Sequence, residues 1–326
     1  MTKTKYTNYG NGPSKIKFHI QHWMDYYKFC VQGCYLIYLN PQVFLGSSAS
    51  QHELKKLSAQ SEFVYFGIAE QLKKCINATL HEKKELYLQF NCDGLPLFKS
   101  SSKEFWPLLC KIYFQPDIYE PFPVLVHFGD SKPNSIQEYL EEFVQEISLL
   151  LKEGIVIEEQ FFQIHVMCFI CDKPARSFIK CIKGHGGYNA CERCTVKGER
   201  YERKTIYLTI NCPKRTDESF RKFEDKEHHG AFLSPLLAIT PKIDMISHFV
   251  LDIMHLCYLG IAKKLLTQCW LGTKSNTKLS PYKIQQLSLR MLHLKPEIPI
   301  EFQRSTRSLK DHALESNRIQ IFPLIL

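Results

Sequence analysis

The sequence predicts an α/β protein, a mixed sheet flanked by helices, with a cysteine-bearing insertion toward its C-terminal side. Three observations predict it. Apolar runs of strand length recur between about residue 85 and residue 172. One amphipathic helix interrupts them after the third run. Two of the runs end in an aspartate, Asp93 and Asp172, and a paired-cysteine turn, Cys191 and Cys194, follows the second.

In chain order, residues 1–51 form a poorly defined N-terminal segment, with a turn at Gly10-Asn-Gly-Pro13 and an apolar run at Phe29–Leu39. Glu53 to Asn77 reads as a helix, because Leu54, Leu57, Phe63, Ile68, Leu72 and Ile76 fall near helical spacing. Glu85 to Asp93 alternates and predicts a strand, turned by Gly94-Leu-Pro96. Trp106–Phe114 and Phe122–Phe128 predict two more strands. Ser135 with Glu138 three residues on is a capping-box start. The helix it opens carries Ile136, Leu140, Phe143, Ile147, Leu150 and Leu151 on one stripe and stops at Gly154. The strand Phe162–Asp172 comes next.

Strand, strand, strand, helix, strand, with an acid closing the first and the fourth strand, is the order of the ribonuclease-H-like fold. In that order the first and fourth strands are parallel neighbours, which predicts Asp93 and Asp172 at one edge of the sheet. Residues 52–183 are the expected core, 184–248 a zinc-knuckle insertion, and 249–326 a helical C-terminal part. Helices are expected in Phe249–Leu266 and Ser280–Leu294.

The chain has 326 residues, 44% of them hydrophobic, which is enough for a sizeable core. No run of about eighteen apolar residues is present, so no membrane partner is expected. Met1-Thr-Lys-Thr-Lys lacks the apolar stretch of a secretory signal. The 13 cysteines are therefore read as thiols or metal ligands in a reducing compartment. A net charge of +9 favours an acidic partner, of which nucleic acid is the commonest. Local basic clusters at Arg200–Lys204 and Arg304–Lys310 read as solvated faces.

Converging carboxylates suit Mg²⁺ or Mn²⁺, hard cations that keep several waters and need few protein ligands. An aspartate after a strand is also a common turn residue, so the fold order carries much of that reading. Cys191 and Cys194 have the C-x-x-C spacing of half a zinc site. Zn²⁺ needs further ligands, for which His228, His229 and His255 are the candidates; the alternative is two free thiols. Cys168 and Cys171 share the spacing but lie on a strand, where three residues reverse the face, so they read as core. His255 reads first as a packed histidine, and Asp252 beside it as a surface acid.

Several segments resemble cut-and-paste DNA transposases of the CACTA (En/Spm-like) DDE type and proteins derived from them. They are Gln89–Ser102, Phe128–Pro133, Phe169–Arg176, Gly184–Cys194 and Leu251–Gly260, in order, and the likeness covers about residues 52–314. The resemblance implies metal-dependent DNA cleavage and strand transfer, with Asp93 and Asp172 as the first two catalytic acids. It implies zinc at Cys191 and Cys194, and it matches Met254-His255 to a family motif. Transposon ends and target DNA are the implied partners, the nucleus the site of action and otherwise the cytoplasm, and a homo-oligomer the acting form.

The third acid of that family follows a Leu-Lys-Asp-His-Ala-Leu run within Trp-Lys-x-x-Glu-Phe-Arg. Here Leu309–Leu314 is followed instead by Glu315-Ser-Asn-Arg-Ile-Gln. An AT-rich coding of this tail, shifted by one base, reads Trp-Asn-Gln-Ile-Glu-Phe-Arg. The expectation is a truncated, catalytically impaired transposase relative. The alternatives are a non-catalytic zinc- and DNA-binding remnant, or an unstable pseudogene product.

Overall fold

The computed structural model describes residues 53–58, 61–96, 102–252, 254–272, 276–297 and 308–309. The N-terminal segment, residues 97–101, the Arg304–Lys310 cluster apart from Ser308 and Leu309, and the tail from Glu315 lie outside them. The chain divides into two units, the larger ending at Leu251 and the smaller beginning at Asp252.

The larger unit is a mixed sheet with helices. Its strands are β1 (Leu54–Ser58), β2 (Ser61–Tyr65), β3 (Glu85–Cys92), β4 (Leu95–Pro96), β5 (Glu104–Tyr113), β6 (Phe122–Gly129), β7 (Ile155–Ile157), β8 (Gln160–Cys171) and, after an excursion, β11 (Phe249–Leu251). Spatial order is β1-β2-β6-β5-β3-β8-β11, with β4 on β5 and β7 on β8. β3, β5 and β6 pair antiparallel, whereas β3 with β8 and β8 with β11 pair parallel.

Helix α2 (Ile136–Glu153) covers the sheet. Ser135 Oγ accepts from the Glu138 amide at 3.2 Å, and Gly154 stops the helix at φ +68°. Its stripe Ile136, Tyr139, Leu140, Phe143, Ile147 and Leu150 is buried, worth on the order of 10 kcal/mol at ~1.5–3 kcal/mol per side chain. Phe90, Phe169 and Phe249 stack across β3, β8 and β11, with centroids 5.2 and 4.7 Å apart. Cys168 and Cys171 are both buried, because β8 is covered on both faces near its end.

Two readings of the sequence are corrected. Glu53–Asn77 is not one helix: it holds β1, β2 and only a short helix α1 (Ala69–Cys75). Phe63 pairs with His127 of β6, so the stretch extends the sheet, and Gly67 at φ +79° breaks the path before α1. Glu146 of α2 then accepts the Ile68 and Ala69 amides at 2.7 and 2.9 Å. Phe249–Leu251 is likewise a strand, since its partner β8 decides what a short apolar run becomes.

Between β8 and β11 lie α3 (Lys173–Ile179), the hairpin of β9 (Glu199–Tyr201) and β10 (Lys204–Ile206), and α4 (Asp217–Arg221). The 184–248 insertion thus holds a small ribbon and a capped helix turn. In the smaller unit, wound segments Met254–Ala262 and Leu265–Trp270 are π-helical, as the Leu271 N–H to Leu266 carbonyl bond illustrates. The expected helix after Ser280 is α5 (Pro281–His293), with Ser280 as its cap. Leu266, Met291 and Leu309 form a small apolar cluster there.

Candidate metal and nucleic-acid site

Asp93 and Asp172 sit one residue beyond the ends of adjacent parallel strands. Phe90 is paired with Phe169. Three residues on from each, the chain reaches Asp93 and Asp172 together, and neighbouring strands lie only ~4.8 Å apart. The Asn91 side chain donates to the Ile170 carbonyl at 2.6 Å and holds this register. Burial pushes the Cys92 thiol up to about 12, and both aspartates add to the rise, so both carboxylates act on one neighbour.

Each carboxylate is oriented by backbone. Asp93 Oδ1 accepts the Gly94 amide at 2.8 Å. A Cβ at Gly94 would come within 2.6 Å of the Trp106 ring, so only glycine lets the chain turn there. Asp172 caps α3, its Oδ1 accepting the Ala175 amide at 2.8 Å, with Pro174 in the first turn.

The cysteine turn is tied to the same edge by Glu192, which lies between the two cysteines. Its buried carboxylate accepts from Lys173 at 2.7 Å, Arg176 at 2.8 Å and Lys180 at 3.1 Å. Burial alone would raise the Glu192 carboxyl; Lys180, Arg176 and Lys173 overcome that and hold it well below the usual range. The three cations share one anion and repel one another, so burial still lowers Lys180 to about 8. Arg176 also donates to the carbonyls of Cys171 and Val250, joining the ends of β8 and β11. Arg193 donates to the carbonyls of Ile246 and Phe249. None of this network was named from the sequence. Its signal was there in Lys173, Arg176 and Lys180, which fall on one face at helical spacing.

Cys191 and Cys194 have their sulfurs 3.5 Å apart, close to the ~3.8 Å edge of a tetrahedral zinc–thiolate site with ~2.3 Å bonds. Burial raises Cys191, but the Arg193 and Cys194 amides, the Cys194 thiol and Arg215 bring it below the usual thiol range. That donor chemistry fits half a Zn²⁺ site. Among the described residues no group of three or more His, Cys, Asp or Glu side chains is set to hold one ion. His228 is fully buried, with Nδ1 on the Asn189 carbonyl at 2.6 Å, and burial lowers it to about 4. His229 packs against Phe220 and Phe223. His255 belongs to the smaller unit, where its Nδ1 pairs with Asp252. Asp252, read as a surface acid, is instead buried at 5% exposure and also accepts the His255 amide.

Among the described residues no helix is long and apolar enough to cross a membrane. No protein-family model matches the chain, and no curated protein matches it.

Proposed function

We propose that this chain is a transposase-derived protein of the CACTA DDE class, built on a ribonuclease-H-like core, with Asp93 and Asp172 as a divalent-cation pair. The observation that carries the reading is their common level at the ends of β3 and β8. The order β6-β5-β3-β8-β11, antiparallel then parallel, supports the fold assignment. The segment likenesses support the lineage.

In this reading Asp93 and Asp172 hold Mg²⁺ or Mn²⁺, with water filling the remaining positions. Held by Asp93 and Asp172, such an ion would supply charge stabilisation at a phosphodiester. Gly94 and the α3 cap fix where the two carboxylates point. Arg176 and Glu192 set the strand ends that carry them. Cys191 and Cys194 contribute two of the ligands of a Zn²⁺ ion in the insertion. Glu315-Ser-Asn-Arg-Ile-Gln stands where the family's third-acid motif follows the Leu309–Leu314 run, so the reading is of a catalytically impaired relative, with a zinc- and DNA-binding remnant as the alternative.

The test is a Mn²⁺ titration followed by water-proton relaxation, paired with nicking of supercoiled plasmid. Wild type binds Mn²⁺, and Asp93→Ala and Asp172→Ala each weaken that binding at least ~10-fold, because each removes one of two protein ligands. Unchanged binding in both variants refutes the metal pair. Metal binding without nicking selects the non-catalytic remnant.

A further inference from the structure

We propose that the β9–β10 ribbon is the docking surface for DNA, laid along the duplex with its cations on the phosphates. This rests on the proposed function only for the choice of DNA as the polyanion.

The ribbon stands apart from the main sheet as a two-stranded hairpin. Tyr201 pairs with Lys204 and closes a two-residue turn. Both turn residues, Glu202 at φ +43° and Arg203 at φ +64°, adopt the left-handed backbone that such turns demand. Asn-Gly is the usual sequence there; this chain holds full side chains at the tip. Arg200, Tyr201, Arg203 and Lys204 are all exposed, and Tyr201 presents 59% of its surface.

An isolated hairpin is marginal on its own, and this one is braced at its base. Thr205 Oγ1 donates to the Gly186 carbonyl at 2.8 Å, and the Tyr207 hydroxyl to that of Gly187 at 2.9 Å. The Gly198 amide donates to the Tyr188 carbonyl at 2.7 Å. The Gly184–Gly187 stretch thus serves the ribbon. From Lys183 to Lys214, six exposed cations stand against two exposed acids, Glu199 and Glu202; one of the six, Lys197, is paired with Glu227 at 3.4 Å, which leaves five. A two-stranded ribbon has the width that the major groove of B-form DNA admits. Charge complementarity and shape therefore point to the same occupant.

The experiment measures binding of a labelled mixed-sequence duplex by anisotropy across a salt series. Each phosphate contact contributes ~0.9 to the slope of log affinity against log salt. The triple variant Arg200→Ala/Arg203→Ala/Lys204→Ala is expected to reduce the slope by ~2–3. A control with the same charge loss elsewhere, Lys56→Ala/Lys74→Ala/Lys83→Ala, is expected to leave it near wild type. Arg203→Gly relieves the turn and removes one cation, so it is expected to lower the slope by ~1 with no loss of thermal stability. An unchanged slope in the ribbon variants, or an equal fall in the control, overturns the proposal while leaving DNA binding intact. Wild-type binding to anionic vesicles but not to duplex overturns the ribbon proposal and the DNA partner together. The metal pair is judged separately by the Mn²⁺ titration.

Discussion

Glu192→Gln is the substitution that most directly tests how the cysteine turn is joined to the acid edge. The carboxylate is 3% exposed and is the shared acceptor of Lys173, Arg176 and Lys180. An amide keeps the shape but removes the charge and points an N–H₂ toward a donor. Lys173 is 21% exposed and can turn to water, whereas Arg176 at 5% and Lys180 at 1% cannot. Two stranded buried cations set the cost, ~3–5 kcal/mol for a broken buried pair. The surface pair Lys222–Glu218, 61% and 74% exposed, is the contrast, because water screens both charges. At ~2–4 °C per kcal/mol, Glu192→Gln lowers the thermal midpoint of the larger unit by about 6–20 °C and Glu218→Gln by a few degrees at most. The double variant Glu192→Gln/Lys180→Met recovers part of the loss, because it removes the deeper of the stranded charges. The assay is thermal and denaturant unfolding at neutral pH, in low and high salt. A loss for Glu192→Gln no larger than for Glu218→Gln refutes the reasoning.

Further outcomes follow from the same geometry. Gly94→Ala places a methyl within 2.6 Å of the Trp106 ring and costs ~1–3 kcal/mol by overpacking, read by denaturant unfolding with tryptophan fluorescence. His228 is held down to about 4 against ~6.5 unfolded, so the unfolded chain takes up the proton first. Stability is therefore intact above pH ~6.5 and falls as pH drops toward 4, by at most ~3 kcal/mol; the dependence in that window flattens in His228→Phe. Cys191→Ser abolishes bound zinc in the purified protein by elemental mass spectrometry, if the two thiols hold it as proposed; zinc retained at the wild-type ratio rules that out.

The strands β3, β5, β6 and β8 and helix α2 were legible because local pattern and tertiary environment agree. Tyr87, Gln89 and their buried neighbours alternate, and the α2 stripe repeats at helical spacing. β1 and β2 were not legible. Leu54, Leu57 and Phe63 mimic a helix, and only pairing with β6 and the break at Gly67 turn that stretch into strand. β11 was hidden for a related reason, its three residues taking their form from β8. The two acids were legible as strand exits. The Glu192 network was legible only in part: Lys173, Arg176 and Lys180 share a helix face, but their common partner depends on α3 folding back over the cysteine turn, a packing event outside local pattern.

What local pattern also could not supply is the level of the two aspartates, and five residues without chemistry of their own set it. Leu88 pairs with Val166, but the next residue, Gln89, pairs with Cys168, so Met167 is the extra residue of a bulge. Without it Asp93 would fall level with Cys171, and Asp172 would lie one residue on, directed to the other face. Met167 is 39% exposed and its sulfur takes the Gln89 amide at 3.6 Å, so the bulge costs the core little apolar burial. Beyond it, the Phe90–Phe169–Phe249 stack and the Asn91 bond to Ile170 prevent the strands from slipping back. A one-residue slip here would move every buried side chain of the strand end to the wrong face, so the register of the acids is enforced by the apolar core. The two aspartates reach the same level because of hydrophobic packing three residues away. If the two aspartates hold a cation as proposed, conservative changes at Phe90, Phe169 or Asn91 weaken Mn²⁺ binding in the relaxation titration more than changes on the exposed side chains nearer the acids.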